Sequence, residues 1–173
     1  SISDIPVTYN IWDLTRLHRV ETTGSKEKIV VKFAEDFGGG LPALRASGPE
    51  SQLPSYLAVI RGKQLADIYD KWGARLLESN IRSFIQARRK SVNEGIRDTI
   101  KGEPEMFFSY NNGLSATADA VDIEMDGAGV RILSAKNLQI VNGGQTTASL
   151  YFTKKKYPEV DLASVRVAAK IRP

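Results

Sequence analysis

The chain contains no cysteine and a single histidine, His18. The first absence excludes disulfides, thiolate nucleophiles and thiolate metal sites, and it fits a reducing compartment. With one imidazole and no thiolate a Cys/His metal cluster cannot be assembled, and His18 reads as a surface or packing residue rather than the base of a catalytic triad. No apolar run approaches the roughly 18 to 20 residues that a membrane span needs, and the N-terminus lacks the basic-then-apolar order of a secretory signal. A cytoplasmic protein with no membrane partner is the expectation. Also missing are the lysine of a Walker A loop, the G-x-G-x-x-G order of a dinucleotide fold, and a nuclease core of paired acids followed by an E-x-K or D-x-K triplet. There is no internal repeat, heptad run or low-complexity tract.

What is present is an ordinary globular composition: 173 residues, 42% hydrophobic and 25% charged, enough to bury one core. The net charge is +4, but it is unevenly spread. Residues 81–101 carry six bases, among them Arg82, Arg88 and Arg89, against Glu94 and Asp98. Residues 152–173 carry six more against Glu159 and Asp161. Such stretches suit an anionic partner, nucleic acid before membrane; they equally suit a solvated basic face.

Periodicity divides the chain into an N-terminal strand and loop region, residues 1–55, and a core, residues 56–173. In the first, Ile29, Val31 and Phe33 share one face of a short strand that Gly38, Gly39 and Gly40 break, and the stretch up to Pro54 reads as loop. In the second, Tyr56 to Ile60 is an apolar run of buried-strand length. It leads into a helix on which Leu65, Ile68, Tyr69, Trp72 and Leu76 recur at helical spacing. Ser91 and Glu94 form a capping box for the next helix, whose stripe is Val92, Ile96 and Ile100 and whose end is Gly102 and Pro104. Two hairpins are expected, one turning at Asn111-Asn112-Gly113 between Met106–Tyr110 and Leu114–Ala118, the other at residues 126–129. A helix over residues 144–157 is stopped by Pro158, with Ala148, Leu150, Tyr151 and Phe152 available for burial. The strand at residues 165–172 alternates Val165, Val167, Ala169 and Ile171 with a basic face. The expectation is an α+β fold, a mixed sheet with β-hairpins and about three helices packed against it, in a chain that is a fragment of a longer protein.

Two polar bends carry the functional interest. In LQIVNGGQTTASLY (residues 138–151) a strand end runs into Asn142, Gly143, Gly144, Gln145 and Thr146 and then into a helix. Glycines there let a ligand approach the backbone, and the N–H groups of a helix start favour an anion. The competing reading is a tight turn in which Thr146 or Asn142 caps the helix. Asn111 and Asn112 offer amides to a base edge or ribose, while Asn-Gly is above all a hairpin turn. Asp122, Glu124 and Asp126 line one strand face, either as Mg²⁺ ligands or as the wet face of a hairpin.

These bends also carry a resemblance. FFSYNNGLSATAD (residues 107–119) and LQIVNGGQTTASLY, with SNIRSFI (79–85) and SVNEGIRDTI (91–100) upstream, resemble the AIPR family of bacterial abortive-infection phage-resistance proteins. The resemblance covers residues 57 to 152. It implies a role in defence against phage, with possible protein partners in a defence system. Its polar signature falls on Asn80 and Arg82, Asn93, Asn111 to Gly113, and Asn142 to Thr146.

The functional expectation is a domain that engages nucleic acid or a nucleotide. Gly143 and Gly144 would open the backbone, Gln145 and Thr146 would bond a phosphate or base, Asn111 and Asn112 would orient it, and Arg82, Arg88 and Arg89 would supply counter-charge. Two other classes stand beside it: a nucleotide-binding or hydrolysing module using the NGGQTT turn, and a non-catalytic scaffold of a defence complex. Mg²⁺ enters only with a nucleotide or nuclease function. Everything rests on the two bends, some thirty residues apart, meeting in space.

Overall fold

The computed structural model describes residues 28–48, 51–77, 94–127 and 129–173. His18, Asn80, Arg82, Arg88, Arg89 and Asn93, and the capping box at Ser91, lie outside them.

Eight strands form one mixed sheet: β1 (Val30–Lys32), β2 (Leu41–Arg45), β3 (Tyr56–Arg61), β4 (Leu114–Thr117), β5 (Ala120–Asp126), β6 (Gly129–Lys136), β7 (Gln139–Asn142) and β8 (Arg166–Arg172). The helices are α1 (Phe33–Phe37), α2 (Gly62–Trp72), α3 (Glu94–Gly102), α4 (Phe107–Tyr110) and α5 (Gly144–Lys156). The fold is α+β, as the periodicities predict. At one end β5 and β6 form the expected hairpin, with Met125 opposite Val130. The other edge of β6 is shared: β1 takes residues 134–136 and β2 takes residues 130–132. The order continues β2, β3, β8, β4, β7, antiparallel at each step except β8 with β4, which run parallel.

Alternation decides which face is buried. On β3, Tyr56, Ala58 and Ile60 are buried, and on β8 so are Val167, Ala169 and Ile171. Leu65 and Ile68 of α2 meet Ile60, Leu114, Ala116, Ile140 and Ile171 across the buried face. Each leucine or isoleucine removed from water there contributes about 1.5 to 3 kcal/mol. Helix α5 packs on α2, where the rings of Tyr69 and Tyr151 lie 5.1 Å apart, and on α3.

Four expectations are corrected. The stretch before Pro54 is not all loop, because Leu41–Arg45 pairs with both β6 and β3. The run at Tyr56–Ile60 is half-buried rather than fully buried, with Leu57 and Val59 exposed on the outer face. Met106–Tyr110 is no hairpin strand: Pro104 opens a 3₁₀ turn that continues directly into α4, so the chain enters β4 from a helix. Phe152 is exposed, and the buried side of α5 is instead rich in small hydroxylated residues, Thr146, Thr147, Ser149 and Thr153, which suit a helix pressed between neighbours.

Part of the second basic stretch is structural. Lys154 and Lys155 at the C-terminal end of α5 pair with Asp67 and Asp70 of α2, and Lys63 adds a second cation to Asp67 at 2.9 Å. Burial pushes the Asp67 carboxyl up, yet the hydrogen bonds from Lys154 and Lys63 outweigh it and hold the group below its ordinary value of 3.8. A depressed carboxylate stabilises the fold above its unfolded pKa and loses that contribution as pH falls through the folded one. Asp67→Asn is therefore expected to lower stability by about 1 kcal/mol near neutral pH. In chemical denaturation the gap between variant and parent should close below pH 3.8. The Thr153 hydroxyl is buried with no hydrogen-bond partner among the described residues. Thr153→Val keeps the shape and removes that desolvated group, so the thermal midpoint should rise, by the equivalent of about 1 kcal/mol.

Candidate functional site

Strand pairing brings the two bends together. β4 starts where the Asn111–Gly113 bend ends, and β7 ends where the Asn142–Gly144 bend begins. Because β4 and β7 are antiparallel, with Ser115 opposite Asn142, both bends leave the sheet at the same end.

The contact between them is backbone on backbone. Gly143 has φ +84° and Gly113 φ +73°, left-handed values that L side chains rarely adopt. A Cβ on Gly143 would stand 2.7 Å from the Gly113 carbonyl oxygen and from the Leu114 Cβ. One on Gly113 would stand 2.3 Å from the Ala168 carbonyl oxygen of the neighbouring β8. Each glycine is thus required twice, by its own conformation and by the chain lying against it.

Side chains lock the junction. The Asn111 Oδ1 accepts the Gly113 N–H at 3.0 Å, closing the bend on itself. The Asn111 Nδ2 donates to the Thr146 hydroxyl at 3.2 Å, joining this bend to the first turn of α5. The Thr147 hydroxyl donates to the Gly143 carbonyl at 3.2 Å, and the Gly143 N–H donates to Asn142 Oδ1 at 2.8 Å. Neither Thr146 nor Asn142 bonds an N–H of the helix, so the side-chain cap read from the sequence is not formed; Gly143 is the N-cap residue. Among the described residues no acceptor meets the N–H groups of Gly144, Gln145 and Thr146, which carry the positive end of the helix dipole.

The residues of the bends thus divide. Thr146 is buried and partnered, Asn111 is half-buried and partnered, and Gly113 and Gly144 are buried. Asn112, Asn142 and Gln145 are exposed. The sheet extends this polar surface, since Asn142 lies opposite Ser115 and Ser115 opposite Lys170. Arg172 follows opposite Thr117. Both cations are exposed, and no anionic group pairs with them among the described residues. The row of carboxylates on β5 is not part of this surface: Asp122 and Glu124 are exposed, and Asp122 accepts from Ser134. No cluster of three metal-ligating side chains occurs among the described residues.

Tyr110 also belongs to this region, although a strand reading of Met106–Tyr110 gives it no such place. It is 64% exposed, immediately before Asn111 on α4. The signal in the sequence is Pro104, which suits a helix start three residues before Phe107.

The double requirement at the glycines can be measured. Gly113→Ala should cost about 3 kcal/mol or more, because strain at positive φ adds to a collision with backbone that cannot move aside. Gly38 has a similar φ, +72°, but nothing within 4 Å of a Cβ, so Gly38→Ala should cost only about 1 kcal/mol. Equal losses in urea unfolding would contradict the close approach.

The model of the family described as AIPR protein matches residues 77–172, more than half of the chain. No curated protein and no solved structure matches it. Both bends, the strands that bring them together and the whole of α5 fall within the matched span. The chain belongs to the AIPR family, whose proteins serve in abortive infection and phage resistance.

Proposed function

We propose that this domain serves phage defence in the cytoplasm by engaging nucleic acid at the end of the sheet where its two glycine bends meet. The observation that carries this reading is the convergence itself. The bends carry the head of α5 and the exposed side chains of Asn112, Asn142 and Gln145, with the exposed strand cation Lys170 one strand away opposite Ser115 and Arg172 farther along the same strand. Backbone N–H groups at a helix start and nearby cations are the groups that hold phosphate oxygens. The roles shift within the set. Gly113, Gly143 and Thr146 are positioning residues that build the junction, Asn111 both builds it and faces the adjoining groove, and Asn112, Asn142 and Gln145 make contact. Arg82, Arg88 and Arg89, with Asn80 and Asn93, remain assigned from sequence as further basic and amide contacts.

Binding of this kind depends steeply on salt. Lys170→Ala with Arg172→Ala should weaken oligonucleotide binding evenly across sequences and reduce the slope of log affinity against log salt by about 2. Arg88→Ala with Arg89→Ala should act in the same direction. Absent or salt-independent binding in fluorescence anisotropy overturns the reading. A triphosphate that raises the melting temperature where oligonucleotides do not bind would instead favour a nucleotide-binding module, for which Mg²⁺ becomes relevant. Binding of neither favours a scaffold within a defence complex.

A further inference from the structure

Beside the junction lies a groove of about 300 Å³, lined by Gly95, Ile96 and Thr99 of α3 and by Phe107, Tyr110 and Asn111. Its composition is layered. Phe107 is fully buried and Ile96 half-buried, so the floor is apolar. The Thr99 hydroxyl donates back to the Gly95 carbonyl at 2.9 Å, which satisfies the one hydroxyl of the helix wall. Tyr110 stands 64% exposed at the rim, a large ring left in water. Asn111 supplies the polar edge: its amide nitrogen carries two hydrogens, and the bond to Thr146 uses one of them.

We propose that this groove receives one unstacked nucleobase with Tyr110 as its stacking platform, so that the nucleic acid bound at the bends is single-stranded. The inference rests on the nucleic-acid reading above and names its substrate class. Three observations favour a base. The volume falls at the lower end of the roughly 300 to 1,000 Å³ of small-ligand sites, which suits one flat ring system rather than a duplex. An apolar floor with an exposed aromatic wall and one amide edge matches a ring whose faces are apolar and whose rim is polar. Asn111 is shared, lining the groove on one side and bonding the first turn of α5 on the other, so base and backbone of one strand would meet adjoining surfaces. A base inside a duplex has both faces covered by its neighbours and cannot offer one to Tyr110.

The test compares a labelled single-stranded oligonucleotide, the same strand in a duplex, and an abasic strand of equal length, at one salt concentration, by fluorescence anisotropy. The intact single strand should bind tightest. Tyr110→Ala should weaken it roughly 5- to 150-fold, and Tyr110→Phe or Tyr110→Trp should restore most of that loss, because stacking needs the ring and not the hydroxyl. Binding of the duplex and of the abasic strand should be unchanged by Tyr110→Ala. Equal affinity of parent and Tyr110→Ala for the single strand overturns the inference while leaving nucleic-acid binding in place. A uniform loss on all three ligands also overturns it, since that marks damage to the fold. No binding of any of them by the parent protein overturns the underlying reading and this inference together.

Discussion

Two backbone approaches in series, Gly143 against the carbonyl of Gly113 and Gly113 against that of Ala168, leave no room for a single added carbon. Three elements meet there: the start of β4, the end of β7 and the head of α5. Gly113 in turn lies against Ala168, so the contact is handed on to β8. Backbone atoms packed this tightly have no rotamers to relax into, and the geometry of the junction is therefore set by the main chain. The hydrogen bond from Asn111 to Thr146 then ties the side chains to the same arrangement.

This division between building and contacting explains why the polar signature looks richer in sequence than on the surface. Residues that read alike, such as Asn111 and Asn112 or Thr146 and Gln145, differ by one position in the chain and entirely in environment. A similar sorting applies to charge. The lysines at the end of α5 face the aspartates of α2 and serve helix packing, whereas Lys170 and Arg172 on β8 have no such anions beside them among the described residues. Counting bases along the chain cannot separate the two, because the partner is supplied by an element some ninety residues away.

Where local pattern and tertiary setting agree, the fold is legible in the sequence. Helices α2 and α5, the hairpin of β5 and β6, and the alternation on β8 all follow from periodicity and stop signals. Strand β2 escapes because its segment contains glycine and proline, and it is a strand only by pairing with β3 and β6. The run at Met106–Tyr110 misleads because four apolar or aromatic residues satisfy either period, and only Pro104 points to a helical turn. The two bends are visible as motifs from the start; their meeting is not, since it depends on the antiparallel pairing of β4 with β7 and on a bulge between Ser115 and Ala116.

The placement of β8 bears on the order in which the molecule can assemble. This strand is the last of the described strands in the chain, yet it sits between β3 and β4, pairing with one antiparallel and with the other parallel. Until it docks, the half of the sheet built on β3 and the half built on β4 and β7 share no ladder of hydrogen bonds. Closing such distant partners costs chain entropy before any pairing energy returns, which slows folding. A chain still emerging from the ribosome would therefore hold two unjoined sheet fragments with open edges, and the Gly113–Ala168 contact would form only when that final strand slides between them.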